Sequence, residues 1–138
     1  MSNDRVERGR KIRREVLGNE YADKADKNLD DFIRPYREYV AEFVWAEIWD
    51  RPGLDRRTRI MLNIAMLTAL GRTEELKLYL NGVARAPEMG VSKEDVREVL
   101  MHTAPYCGIP ASLAAFRVAQ ECLANVPMQQ ASVAQAAK

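Results

Sequence analysis

The sequence predicts an all-α fold, on three observations. Apolar residues recur at the 3.6-residue helical spacing almost throughout, and no window sustains the strict alternation and β-branched enrichment of a strand. Gly and Pro residues fall between the periodic blocks, where helices stop and restart. A chain of 138 residues suits one domain that buries roughly two thirds of its unfolded surface without staples. That domain is expected over residues 1–127, with 128–138 as a flexible tail.

A first helix is expected from near Asp4 to Gly18, a residue suited to the left-handed cap position. A polar stretch, NEYADKADKNLD, separates it from a second helix beginning at Asp30 or Asp31. Phe32, Tyr36, Val40, Phe43, Val44 and Ile48 supply the apolar positions of that helix, and "DRPG" at residues 50–53 ends it. Trp45 and Trp49 lie one turn apart near its end, as core or interface residues. Asp55 should cap a long apolar helix, RRTRIMLNIAMLTALG, that finishes at Gly71. Thr73 opens its hairpin partner, which runs to the "RAPEMG" break. Ser92 with Asp95 resembles a capping box and predicts a helix from Lys93 to Ala104. Pro105 should push Ala104 out of helical geometry, Gly108 allows an unusual backbone angle, and Pro110 restarts a helix extending to about Ala124. The tail, MQQASVAQAAK, has too few large apolar residues to offset the entropy of ordering it.

The charges nearly cancel, 21 Lys+Arg against 20 Asp+Glu, which removes the electrostatic signature of a nucleic-acid binder. The N-terminus has no apolar signal region, and no apolar run approaches the roughly 18 residues of a membrane span. The expectation is a cytoplasmic protein with no nucleic-acid or membrane partner. Cys107 and Cys122 stand alone, so one chain builds neither a C-x-x-C redox pair nor a cysteine-based zinc site. No cofactor motif and no metal-ligand spacing is present, and a structural thiol is the default for both cysteines.

The chemistry-bearing residues concentrate in "MHTAPYCGIPASLAAF", residues 101–116. His102 is the only histidine in the chain. If Val96, Val99, Leu100 and Thr103 form the buried face of their helix, Glu98 and His102, four apart, share the opposite one. Such a pair is either a solvated i,i+4 contact or, near a helix C-terminus that favours protonated imidazole, a proton-transfer pair beside Tyr106. Arg51, Arg56, Arg57 and Arg59 surround a helix N-terminus, where one or two of them, Arg56 and Arg59 foremost, could hold a substrate carboxylate bidentately.

"RPGLDRRTRIMLNIAMLTALGRTEELKLYL" followed by "GVSKEDVREVLMHTAPYCGIPASLAAF" resembles the γ-carboxymuconolactone decarboxylase family, from about Arg10 to Leu123. The resemblance implies the all-helical alkylhydroperoxidase D-like fold and a ring-shaped homo-oligomer, a hexamer or trimer, whose helical hairpins complete one another across subunits. In the peroxidase branch a Glu, a C-x-x-C pair and a His correspond to Glu98, Pro110, Leu113 and Arg117. Three of those four are absent, so disulfide-based peroxide reduction has no resolving pair. The decarboxylase branch typically carries His in place of Phe43, His-x-Arg in place of Tyr79 and Asn81, and His in place of Arg117.

The implied reaction is cofactor-independent decarboxylation of a small carboxylated lactone or conjugated acid from aromatic catabolism, in which the substrate is its own electron sink. The resemblance then assigns His102, oriented by Glu98, as proton donor or enolate stabiliser, and Tyr106 as a donor to the lactone oxygen. Tyr79, Cys107, Gly108 and Arg117, with Arg56 and Arg59, form the expected substrate-contacting set. The rival function is a non-catalytic oligomeric module that binds a ligand or a protein; a thiol-dependent peroxidase would rest on Cys107 alone.

Overall fold

The structure, a computed structural model, describes residues 2–129, and these are all-helical, without strands. Most of the expected flexible tail lies outside the described residues. Helix α1 (Ser2–Leu17) is followed by α2 (Asn19–Lys27), and α3 (Arg34–Val40) continues into a π-helical turn, Ala41–Ala46. Then come α4 (Arg56–Leu70), α5 (Thr73–Arg85), a 3-10 turn (Pro87–Met89), α6 (Lys93–Cys107) and α7 (Ile109–Cys122). α4 and α5 form one hairpin and α6 and α7 another. They pack together around Ile64, Leu80, Leu100 and Leu123, all essentially inaccessible. α1 lies across α5 and along the π-helical turn.

The expected caps are present. Asp55 accepts from the Thr58 backbone N–H at 2.8 Å, and Gly71 takes the left-handed conformation that closes α4. Ser92 and Asp95 form a reciprocal capping box. The Lys93 ammonium donates to the carbonyls of Leu123 and Val126, tying the start of α6 to the end of α7.

Several expectations are corrected. The polar stretch after Gly18 is not a connector, because residues 19–27 form α2. There Ala22 is buried, and Asp23 and Asp26 reach back to Arg13 and Arg14 on α1. Gly18 itself has φ 93° and ψ 160°, a glycine conformation outside the left-handed helical region.

The helix expected from Asp30 begins only at Arg34, and its apolar face is different. Phe32 is 94% exposed, and Tyr36, Phe43, Val44 and Ile48 are also exposed, whereas Ala41, Trp45, Ala46 and Trp49 are buried. The buried stripe is the one that α1 packs against. Positions 41, 45 and 49, four apart, form the stripe that faces inward, with the π-helical turn spanning the first two, and 43, 44 and 48 face out. α1 approaches this turn at Gly9, where a Cβ atom would lie 1.8 Å from the Ala41 carbonyl oxygen.

Pro105 does not break α6, which runs through it to Cys107. Near a helix end proline costs little when the carbonyl it deprives is hydrated, and Met101, four residues earlier, is exposed. The break falls at Gly108 alone, with φ 98° and ψ 151°. Pro110 then sits in the first turn of α7, which ends at Cys122 and not Ala124. Cys107 is exposed and not a core thiol. Cys122 is partly buried, which with the neighbouring Glu121 raises its thiol pKa against the pull of Lys77 and Arg85.

Candidate active site

The α6–α7 elbow gathers part of the expected set. His102 and Tyr106 sit one turn apart with ring centroids 5.2 Å apart and tilted by 40°. Val96, Leu100 and Thr103 are buried, which turns Glu98 and His102 outward. Glu98, His102, Tyr106 and Cys107 are all exposed in the subunit, Tyr106 at 78%. The Glu98 carboxylate lies 3.3 Å from Arg97 Nε, and among the described residues it makes no ion pair with His102. Gly108 forms the corner, and Arg117 is exposed on α7.

The expected arginines are engaged within the fold. Arg56 pairs with Glu15 of α1 and approaches Asp50 at 3.9 Å, so it braces α4 against its neighbours. Arg59 donates from Nη2 to the Arg51 carbonyl at 3.3 Å. Arg57 holds the Gly90 carbonyl and Asp95.

Tyr79 lies elsewhere, in a chamber of about 270 Å³ between α1, α3 with its π-helical turn, and α5. Trp45 and Tyr79 give it an aromatic lining, and Trp49 behind them stacks on Trp45 at 4.9 Å and on Tyr79 at 6.2 Å. Val40, Val44 and Leu78 supply apolar surface, and Tyr21 and Tyr36 bring two further phenols. Burial pushes the Tyr79 pKa up to about 12, against a smaller opposing contribution from a hydrogen bond with Asn63. With its pKa raised that far, Tyr79 stays a neutral phenol near neutral pH.

Two arginines also line the chamber, Arg13 and Arg37. Arg13 is 8% exposed, unusual for arginine, and its Nη2 is 3.2 Å from Asp26. The side chain of Arg37 is half-buried. Sequence reasoning missed both, along with Tyr21. A signal was present for Arg13, which falls on the stripe of Val6, Gly9, Val16 and Leu17 at helical spacing, a charge inside an otherwise buried face.

Among the described residues no cluster of three or more His, Cys, Asp or Glu could hold a metal ion, and no helix is long and apolar enough to cross a membrane. Comparison with known proteins agrees with the architecture. The profile of the carboxymuconolactone decarboxylase family matches residues 34–121. The chain is 39% identical over 117 residues to a 4-carboxymuconolactone decarboxylase of Acinetobacter baylyi, covering 85% of each chain. It is 37% identical over 115 residues to a nitrosuccinic acid decarboxylase of Metarhizium robertsii, covering 83% of this chain and 78% of that one.

Proposed function

Because the chain belongs to the carboxymuconolactone decarboxylase family, we propose that it is a carboxy-lyase that removes CO2 from a small carboxylic acid carrying its own electron sink, without a cofactor. The compounds named for the two decarboxylases share that property. A lactone carbonyl conjugated through an alkene takes up the electron pair as a dienolate, and a nitro group takes it up as a nitronate. Both are also dicarboxylic acids. The C–C bond to the departing carboxylate breaks, its electron pair moves to the sink oxygen, CO2 leaves, and the carbon then takes a proton from solvent by way of a protein donor.

The observation that carries this reading is the chamber. It offers cationic groups for carboxylates, an aromatic wall for a flat conjugated body, and protonated Tyr79 as a donor to the developing oxyanion. Apolar surface beside a carboxylate disfavours its charge relative to neutral CO2. A second reading places proton return at the elbow and is favoured by the contact between His102 and Tyr106. Their exposed face would then be enclosed by another copy of the chain. Exposed Leu62, Met66, Leu70, Met101, Ile109 and Leu113 support such a homo-oligomer, in a hexameric or trimeric ring.

Turnover of 4-carboxymuconolactone, followed by loss of ultraviolet absorbance, and CO2 release from nitrosuccinate test the activity. Tyr79→Phe should lower kcat about a hundredfold if the chamber is the site. The same loss in His102→Ala with Tyr79→Phe unaffected would move the chemistry to the elbow. Background rates with both substrates would reject the carboxy-lyase reading in favour of a binding module.

A further inference from the structure

The two chamber arginines are not equivalent. Arg13 is anchored through Nη2 by Asp26, which also meets Arg14 at 3.4 Å, and its buried Nε has no hydrogen-bond partner among the described residues. An unsatisfied buried N–H on a charged group is costly, and an anion beside the guanidinium would offset that cost electrostatically. The guanidinium of Arg37 makes no hydrogen bond or ion pair among the described residues. Glu75 borders the same chamber, but its carboxylate is taken by Arg72 at 2.7 Å. The chamber is therefore bordered by one anchored, buried guanidinium and one uncompensated, better hydrated positive charge.

We propose that Arg13 and Arg37 make the chamber selective for a dicarboxylate, Arg13 holding the carboxylate that is retained and Arg37 the one that leaves. The assignment of the leaving group rests on the carboxy-lyase reading; the selectivity does not. A buried, charge-assisted hydrogen bond stabilises a carboxylate against conversion to neutral CO2, so the deep arginine suits the spectator. Arg37 is only half-buried and stands on α3 near Val40, in the apolar wall. It steers and orients its carboxylate while stabilising it less, and the adjoining apolar surface favours CO2.

Succinate and its monomethyl ester, titrated at pH 7.5 against the fluorescence of Trp45 and Trp49, separate two charges from one at similar shape. Wild-type protein should bind succinate at least tenfold more tightly than the ester. Arg37→Gln should bring succinate to the ester's affinity and leave the ester within about twofold, whereas Arg13→Gln should weaken both tenfold or more. Arg13→Lys, which keeps the charge, serves if the glutamine variant melts early, and should weaken both ligands less than removal of the charge. Equal binding of the two probes, no binding of either, or an Arg37→Gln variant that loses both alike would overturn the proposal. With a turned-over substrate, Arg37→Gln should raise KM by more than it lowers kcat. A dicarboxylate preference without turnover would sink the carboxy-lyase reading alone, and turnover without the preference would sink this one alone.

Discussion

Gly9→Ala joins fold to site in one substitution. The added Cβ would lie 1.8 Å from the Ala41 carbonyl oxygen, whereas Cβ atoms essentially never come within 3.0 Å of such an atom. α1 and the π-helical turn must therefore part by more than an ångström, and backbone on both sides leaves no side chain to swing aside. Val6, Ala41 and Trp45 are all buried at this seam. Overpacking of this kind costs about 1–3 kcal/mol, occasionally more, and the severity of the clash argues for the upper end. Alanine's better helix propensity returns about 1 kcal/mol, leaving a net loss of about 2 kcal/mol. For a chain of this length that lowers Tm by roughly 8 °C. Circular dichroism melting measures it, with Gly53→Ala as control, since nothing lies within 4 Å of the Cβ position there. Because Ala41 and Trp45 also line the chamber, Gly9→Ala should weaken succinate binding as well. A Tm within about 2 °C of wild type would refute the close approach of α1 to the π-helical turn.

Leu80→Ala, at an inaccessible site in α5, should cost about 2–5 kcal/mol in denaturant unfolding; a loss under 1 kcal/mol would contradict its place in the core. The difference titration between wild type and Tyr79→Phe should show a phenolate step near pH 12. Since the folded pKa is raised, the stability involved is intact below the unfolded value of about 10 and fades as pH climbs toward the folded one. A step at the ordinary tyrosine value would refute the burial. For Asp95, burial acts to raise the carboxyl pKa, but the Ser92 backbone N–H and the Arg57 guanidinium outweigh it and hold the value low. Its contribution is present above about pH 4 and lost as pH falls through the folded pKa. Asp95→Asn should therefore cost about 0.5–1 kcal/mol at pH 6 and nothing near pH 2, and a pH-independent difference in Tm would contradict the charge assignment.

Much of the helical plan is local and therefore legible. Asp55, Gly71, Ser92 with Asp95, and Pro110 mark helix ends because their side chains or backbone preferences satisfy groups within one turn of themselves. The pattern Val96, Leu100, Thr103 fixes the inner face of α6, and hence the outward direction of Glu98 and His102, for the same reason. The motifs in residues 51–116 carry the family resemblance within the chain itself.

The chamber is decided by tertiary structure. α2 is too polar to announce itself; it holds because Asp23 and Asp26 find Arg13 and Arg14 across a turn that Gly18 permits. A 3.6-residue count allows either of the adjacent stripes 40/44/48 and 41/45/49, and α1 pressing at Gly9 selects the second. Arg13, Arg37 and Tyr79 are widely separated in sequence and meet only because α1, α3 and α5 converge. Periodicity determines which side of a helix is apolar, but which charged groups share a cavity depends on how helices cross, and that is set by long-range packing.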